Sequence, residues 1–187
     1  MIEGKLVNLR AVEMTDVDRY YAWINDRDVT RHLAMRYPIS YAAEESWIRQ
    51  AVSSQGSYHN TWFAIETKDG SHIGGINFHF AIPENRKARL GVMIGDKAYW
   101  SRGYGTDAML VMLRFGFDEM NLHRIDLTVD ADNERANACY RKCGFTEEGR
   151  LRRVRFSGGR YVDQLVMGIL RSEWETAPSR ADAGPTP

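Results

Sequence analysis

The fold of this chain is decided by one continuous stretch, residues 90–145, which reads LGVMIGDKAYWSRGYGTDAMLVMLRFGFDEMNLHRIDLTVDADNERANACYRKCGF. Its first residues continue an alternating apolar pattern that predicts a strand over 88–94. A polar and aromatic loop follows and ends in the glycine turn at 103–105. Helical spacing then predicts a helix over 103–119. The stretch therefore opens as strand, loop and helix.

The remainder of the stretch predicts a second strand and a second helix. Residues 124–130 alternate as a strand does, and Asn133 can cap a helix that ends at Lys142. A strand, a helix and a strand in this order make a crossover connection between parallel neighbours. Strands 88–94 and 124–130 should therefore lie side by side and run in the same direction.

The chain before this stretch predicts helices followed by an antiparallel meander, and the chain after it predicts a closing hairpin. The predicted elements are a strand over 5–10, a helix capped by Thr15 and ending near Asn25, a helix from Tyr41 to Val52 capped by Ser40, strands over 61–67 and 71–81, and hairpin strands over 145–156 and 160–170. Together they indicate an α/β (α+β) fold with a mixed sheet of about seven strands and helices on both faces.

The length of 187 residues suits one domain, which we assign to residues 1–176. Residues 177–187 hold three prolines and no large apolar side chain, so we expect a disordered tail there. No window resembles a signal segment or a membrane span.

Charge and cysteine content exclude several classes. Lysines and arginines number 25, as do aspartates and glutamates, so the formal net charge is zero. Because nucleic-acid-binding proteins usually have a basic surplus, we expect no nucleic-acid partner, and no membrane partner either. Cys139 and Cys143 are neighbours on one predicted helix, where a disulfide would be strained and two ligands make no zinc site. We therefore expect free thiols, no metal and a cytoplasmic location.

The glycine turn has the features of a phosphate-binding site. Gly103 and Gly105 let the backbone approach a ligand closely and adopt positive φ. The helix that follows begins with amides that have no partner inside the helix, and its N-terminus is partly positive. Arg102 adds a cation next to these amides. The turn is therefore predicted to hold a phosphate group.

The same turn also satisfies the dinucleotide fingerprint Gly-x-Gly-x-x-Ala, with Asp126 about twenty residues further on. That fingerprint opens its helix directly from the first strand of a domain, whereas here a loop over 95–102 intervenes and a meander precedes it. Asp126 also falls inside its strand. A dinucleotide-dependent oxidoreductase is therefore the rival hypothesis, and binding of NADH tests it.

Two motifs resemble those of the GNAT N-acetyltransferase superfamily, and the resemblance extends from Leu6 to about Trp174. The phosphate turn of that superfamily is usually Gln/Arg-x-x-Gly-x-Gly/Ala, and here Trp100 replaces the Gln or Arg. The second motif, Asn-x-x-Ala-x-x-x-Tyr-x-Lys-x-Gly-Phe, matches without gaps at Asn133, Ala136, Tyr140, Lys142, Gly144 and Phe145. The form Tyr-Trp-x-x-Gly-Tyr-Gly-Thr resembles the branch that contains ribosomal-protein N-terminal acetyltransferases and spermidine acetyltransferases.

The resemblance implies an acetyl-CoA-dependent N-acetyltransferase in which an amine attacks the thioester directly. Main-chain groups near Met93 and Ile94 would pair with the pantetheine arm of CoA. Asn133 would cap its helix and reach the same arm, and Tyr140 would protonate the departing thiolate. The amides that would hold the CoA pyrophosphate belong to Arg102, Gly103, Tyr104, Gly105 and Thr106.

The general base is left open by the sequence. Several peptide-acetylating relatives have a Glu five residues before the motif Asn, but that position here is Thr128, which cannot serve as a base. The remaining candidates are Asp130, Glu66, Glu44, His79 and a chain of water molecules.

The acceptor is also open, because the resemblance allows either a protein N-terminus or a small amine. Polyamine acetylation is an alternative, although such relatives have acidic residues where this chain has Arg36. A non-catalytic CoA-binding module on the same fold is a further alternative. Since relatives are often dimers, a homodimer is expected.

Overall fold

A computed structural model describes residues 1–59, 61–178 and 180. Among them, one mixed sheet has eight strands in the order β1-β2-β3-β4-β5-β6-β8-β7. The strands are β1 (Ile2–Glu3), β2 (Val7–Ala11), β3 (Thr61–Thr67), β4 (His72–Ile82), β5 (Lys87–Ile94), β6 (Arg124–Asp130), β7 (Thr146–Ser157) and β8 (Arg160–Leu170). The α-helices are α1 (Val17–Ile24), α2 (Arg27–Thr30), α3 (Tyr41–Ser53), α4 (Tyr104–Arg114), α5 (Glu134–Lys142) and α6 (Arg171–Thr176).

The predicted crossover is confirmed. β5 and β6 are parallel neighbours, and Ala88 is opposite Ile125. The other neighbouring strands are antiparallel, as the predicted meander and closing hairpin require. The sheet has one strand more than predicted, because the two-residue β1 pairs with β2.

The first helix begins later than predicted, and Thr15 is not its cap. Residues Met14–Asp16 form a 3-10 turn, and α1 starts at Val17. The carboxylate of Asp16 accepts the backbone N–H of Glu13 at 2.9 Å and is also held by Arg10. Asp16 therefore closes the 3-10 turn, and no side chain of the described residues caps α1.

The helix predicted over 103–119 has two parts. It is α-helical to Arg114 and continues as a π-helical segment over Phe115–Glu119. This segment packs closely on the sheet, because a Cβ added to Gly116 would lie 2.7 Å from Cζ of Phe78. A glycine at this position therefore allows the segment to contact β4.

The sheet separates two apolar cores because successive strand residues point to opposite faces. Ile65 lies in the larger core with α4 and α6, whereas its neighbour Ala64 lies in the smaller core with α1 and α3. The predicted arrangement of helices on both faces is confirmed.

β5 and β6 separate after a short paired segment, which is the feature that positions the site. Their backbone pairing runs only from Lys87–Arg124 to Arg89–Asp126. Beyond it, β5 stays paired with β4 as far as Ile94, and β6 stays paired with β8 as far as Asp130. The two strands therefore diverge toward their carboxyl ends and leave a cleft in the middle of the sheet.

Most of the predicted tail, at residues 179 and 181–187, lies outside the described residues. In the described part, the Arg180 guanidinium lies 3.4 Å from the Asp118 carboxylate. No helix in the described ranges is long and apolar enough to cross a lipid bilayer.

Candidate active site

The cleft between the diverging strands holds a cavity of about 620 Å³. It brings together most positions that the sequence singled out. These lining residues are Met93, Ile94, Gly103, Gly105, Thr106, Asn133 and Tyr140. Arg102 and Tyr104 belong to the same turn but do not line the cavity, and the Arg102 guanidinium lies 5.9 Å from the centre of the Tyr104 ring.

The glycine turn at the mouth of this cavity has the conformation expected of a phosphate site. Gly103 is the N-cap residue of α4 and has a φ of 88°, in the left-handed region that favours glycine. No side chain of the described residues caps this helix, unlike α3 and α5, which Ser40 and Asn133 cap. The first amides of α4 therefore remain available to an anion.

Asp107 fixes the position of this turn, a role that the sequence did not reveal. Its buried carboxylate accepts the backbone N–H groups of Lys5, Leu6 and Val7 at 3.1, 2.7 and 2.9 Å. Three hydrogen bonds to one carboxylate tie the first turn of α4 to the start of β2. An acidic residue in the first turn of a helix was the only local signal.

A second part of the cavity wall is the end of β5, where this strand does not pair with β6. The Gly95 N–H donates to Ile73 O on β4 at 2.9 Å, and main-chain groups alternate in direction along a strand. The amide and carbonyl of Ile94 therefore point away from β4 and toward the cleft, whereas those of Met93 point toward β4. Met93 contributes its side chain to the lining.

Trp100, which departs from the usual GNAT turn, connects the loop to this edge. Its Nε1 donates to Ile94 O at 2.7 Å. The Arg135 guanidinium of α5 lies 3.9 Å from the Trp100 ring centre, a distance typical of a cation–π contact. The indole therefore joins β5, the loop and α5 at the mouth of the cleft.

Tyr140 reaches the cavity from the last turn of α5. The helix begins at a cap in which Asn133 Oδ1 accepts the Ala136 N–H at 3.2 Å. Burial raises the pKa of the Tyr140 hydroxyl well above its usual range, and the neighbouring Cys139 and Cys143 raise it further. The phenol is therefore fully protonated at neutral pH, as a proton donor must be.

Both thiols are free, as predicted, and they join α5 to α4. Cys139 Sγ lies 3.4 Å from Thr106 Oγ1, and the Cys143 thiol lies 3.8 Å from Thr106 O. A hydrogen bond from Cys143 lowers the pKa of the Cys139 thiol, while the same bond and burial raise that of Cys143. Cys139 is the thiol that lines the cleft.

The four side chains considered for the general base are placed very differently. Glu66 pairs with Arg10 at 2.7 Å, and Glu44 is buried beneath α3, so neither lines the cavity. His79 lines it, but burial lowers the pKa of its imidazole and its Nδ1 lies 3.1 Å from the Asn77 amide. His79 is therefore the only one of these three at the site.

Asp130 lies at the carboxyl end of β6 and has all of its acceptor capacity engaged. Arg155, His32 and Gln164 bind its two oxygens. Burial acts to raise the pKa of this carboxyl, but the hydrogen bonds from these three residues outweigh burial, and the pKa lies below its usual range. Asp130 is therefore ionised and a weak proton acceptor.

His32 was missed by sequence reasoning because its partner lies 98 residues further along the chain. Its Nδ1 is 3.0 Å from Asp130 Oδ2, and the imidazole lines the cleft. It also lines a second cavity of about 620 Å³, formed by α2, the loop after it and the β7–β8 hairpin.

Ligand atoms of His32, Asp130 and Asp132 lie within 4.8 Å of one another, close enough to suggest a metal site. However, Arg155 pairs with Asp130 and Arg160 pairs with Asp132. Since guanidinium groups already neutralise both carboxylates, the cluster suits an ion-pair network better than a metal ion. The predicted absence of a metal stays a prediction.

Asp126, the acidic residue of the rival dinucleotide fingerprint, is buried in the middle of the sheet. Its carboxylate pairs with Arg89 at 2.9 Å and Lys87 at 3.0 Å. It cannot reach a ribose at the carboxyl end of a strand, where that fingerprint needs it. The geometry therefore favours the CoA interpretation of the turn.

Comparison with known proteins agrees with this interpretation. Residues 7–146 match the family described as Acetyltransferase (GNAT) domain. An uncharacterized N-acetyltransferase of Bacillus subtilis, YoaA, is 27% identical over 172 residues, which are 91% of this chain and 97% of that protein. A spermidine N(1)-acetyltransferase of Escherichia coli is 31% identical over 168 residues, 90% of this chain and 88% of the relative.

Solved structures give the same result. The spermidine N-acetyltransferase of Vibrio cholerae, solved in complex with CoA and spermine, superposes with a TM-score of 0.83 at 26% identity. The match covers 92% of this chain and 100% of that one. The motifs, the divided sheet and the family match converge, and the chain belongs to the GNAT acetyltransferase family.

Proposed function

We propose that this N-acetyltransferase binds acetyl-CoA in the cleft between β5 and β6 and transfers the acetyl group directly to a primary amine. The observation that supports this is the meeting of an uncapped helix N-terminus, an unpaired strand edge and a buried phenol in one cavity. These are the three groups that a pyrophosphate, a pantetheine arm and a leaving thiolate need.

Each part of acetyl-CoA has a matching group in this proposal. The amides from Arg102 to Thr106 hold the pyrophosphate at the start of α4. The main chain of β5 near Ile94 pairs with the pantetheine amides, and Asn133 contacts the same arm. Met93 contributes its side chain to the wall, so its predicted role is packing against the arm.

The transfer itself needs two proton movements and one stabilised oxyanion. The acceptor nitrogen attacks the thioester carbonyl, and an amide of β5 stabilises the oxyanion that develops. As the C–S bond breaks, Tyr140 donates its proton to the thiolate, and the acetylated nitrogen releases a proton to solvent, which later reprotonates Tyr140. The raised pKa of Tyr140 makes this donation unfavourable in isolation, so it must be concerted with C–S cleavage.

The acceptor in this proposal is a protein N-terminus or a small amine. Relatives named as spermidine acetyltransferases make a polyamine the alternative acceptor. Arg36 lines the second cavity, beside the cleft, and opposes a polycation there. We further propose a homodimer in the cytoplasm, and light scattering of the purified protein tests the oligomer.

Calorimetric titration of the purified protein with acetyl-CoA, with NADH as the control ligand, tests the proposal first. Selective binding of acetyl-CoA is the expected outcome. A panel of amines scored by released CoA thiol then tests transfer. Binding of NADH without acetyl-CoA would restore the oxidoreductase hypothesis, and acetyl-CoA binding without transfer to any amine would favour a CoA-binding module.

A further inference from the structure

His32 forms part of the wall shared by the CoA cleft and the second cavity. Its side chain is 25% exposed, whereas that of its partner Asp130 is 1% exposed. In the neutral imidazole, the hydrogen on Nδ1 points to Asp130, because this ionised carboxylate can only accept, and Nε2 carries the lone pair. The imidazole is thus oriented as a proton acceptor.

Arg155 fixes this orientation from two directions. Its Nε donates to Asp130 Oδ1 at 2.9 Å, and a second nitrogen binds the other carboxylate oxygen. The same guanidinium donates to Leu33 O at 3.2 Å and to Arg31 O at 2.9 Å, the carbonyls on either side of His32. One partly buried cation therefore holds both the carboxylate and the backbone that carries the imidazole.

We propose that His32 is the general base that deprotonates the acceptor ammonium, with Asp130 and Arg155 as positioning residues. This inference rests on the proposed function. The ammonium N–H bond breaks and its proton passes to His32 Nε2, which frees the lone pair that forms the new N–C bond. As the C–S bond breaks, the thiolate takes the Tyr140 proton, and the acetylated nitrogen loses its second proton to solvent, which reprotonates the Tyr140 phenolate. The imidazolium beside Asp130 later returns its proton to solvent.

The test compares His32→Gln with wild type and with His123→Gln, a change at an exposed histidine outside both cavities. Loss of a general base should lower kcat by about 100- to 1000-fold while KM for acetyl-CoA changes little. Added imidazole should restore part of the lost rate, which a purely structural role would not permit.

The pH profile gives a second readout. A general base must be unprotonated, so kcat/KM of wild type should rise with pH, and His32→Gln should lose this rise. The charged groups that line the second cavity with His32 are Arg27, Asp28, Arg31, Arg36, Asp130, Asp132, Arg155 and Arg160. If His32→Gln had the rate and pH profile of wild type, His32 would not be the general base, and the proposed function would stand. If wild type itself were inactive, both this inference and the proposed function would be overturned.

A separate observation concerns the charge of the second cavity. Three acids line it, and each has a cationic partner: Asp130 with Arg155, Asp132 with Arg160 and Asp28 with Lys97. Three more arginines on the same wall have no carboxylate partner within the described ranges, namely Arg27, Arg31 and Arg36. The cavity therefore has an excess of positive charge.

We infer that the acceptor enters through this second cavity and that it has an anionic group, a carboxylate or a phosphate, away from its amine. Guanidinium groups bind both anions through charge-assisted hydrogen bonds. The shared wall at His32 would receive the amine, while the arginines hold the anion. A polyamine would meet like charge at the same place. This inference also rests on the proposed function.

Matched acceptors test the charge preference with the full-length protein. A dipeptide is compared with its C-terminal amide, phosphoethanolamine with ethanolamine, and spermidine serves as the polycation. We expect the anionic member of at least one pair to have a kcat/KM about tenfold or more above its neutral partner, as one charge-assisted hydrogen bond would give. A preference within the dipeptide pair would indicate that the cavity binds a carboxylate, and a preference for phosphoethanolamine would indicate that it binds a phosphate.

The preference should fall in the double variant Arg31→Gln/Arg36→Gln and persist in Arg49→Gln, an exposed residue of α3 that lines neither cavity. Equal rates for charged and neutral acceptors, or a preference for spermidine, would overturn this inference but leave the transferase function intact. An absence of transfer to every amine would overturn both.

Discussion

The carboxylate of Asp107 accepts the backbone N–H of Leu6 at 2.7 Å, across 101 positions of the sequence. Asp107 lies in the first turn of α4, directly after the glycine turn, and Leu6 precedes β2. The proposed phosphate site is therefore held in place by the N-terminal segment of the chain. A helix terminus binds an anion well only when its amides are fixed in advance.

Replacing Asp107 by alanine should lower the free energy of unfolding by about 2–4 kcal/mol, because three backbone N–H groups lose their acceptor. Urea unfolding followed by circular dichroism measures the change. Glu45→Ala is the control, since Glu45 has only a surface ion pair with Arg49 and should cost less than about 1 kcal/mol. Similar losses in the two variants would refute the anchoring role.

The substitution Tyr140→Phe should reduce turnover by about one to three decades and leave acetyl-CoA binding nearly unchanged, because it removes only the proton that the thiolate takes. Steady-state kinetics and calorimetry on the same preparation separate the two effects. Tyr161→Phe, at an exposed position of β8, should keep full activity. Wild-type turnover in Tyr140→Phe would remove this residue from the mechanism.

Changing Gly103 to valine should weaken acetyl-CoA binding by about tenfold or more, since the positive φ of 88° disfavours a β-branched residue and the amides would shift. Gly70→Val provides a matched control. Gly70 has a φ of 87° in the β3–β4 turn, and an added Cβ there meets nothing within 4 Å. Both variants carry similar backbone strain, so equal acetyl-CoA affinities would count against the phosphate-turn assignment.

Glu44 should make stability depend on pH. Burial raises the pKa of its carboxyl to about 6, and Oε1 has no hydrogen-bond partner in the described chain. Because the folded state favours the protonated form, this contribution is complete below the ordinary carboxyl pKa and is lost as pH rises through about 6.

The variant Glu44→Gln, which stays neutral, should therefore exceed wild type in stability by up to about 2 kcal/mol at pH 8 and match it near pH 4. Urea unfolding at the two pH values measures this difference. Glu45→Gln is one residue further along α3 at a side chain that is 41% exposed, and it should show no such dependence. A constant difference between Glu44→Gln and wild type at both pH values would contradict the prediction.

Short-range sequence signals predicted most of the fold. Strands 61–67 and 124–130 begin and end as expected, and Ser40 and Asn133 cap their helices as expected. These features depend on alternation and on side chains that bond the backbone three residues away. Thr15 is not a cap because it lies inside the 3-10 turn Met14–Asp16, which the Asp16 carboxylate closes by accepting the Glu13 N–H.

The sequence by itself was sufficient to predict the crossover and the two motifs. Each is a pattern of residues close together in the chain, and the alternation, helical spacing or turn that reveals it is local. Only the tertiary structure decided what surrounds them. The divergence of β5 from β6 opened the cleft, and contacts such as His32 with Asp130 and Asp107 with Leu6 placed groups about a hundred residues apart at hydrogen-bond distance. Strand pairing and packing set such contacts. No local pattern predicts them, because the residues next to one partner in the sequence carry no information about the position of the other partner.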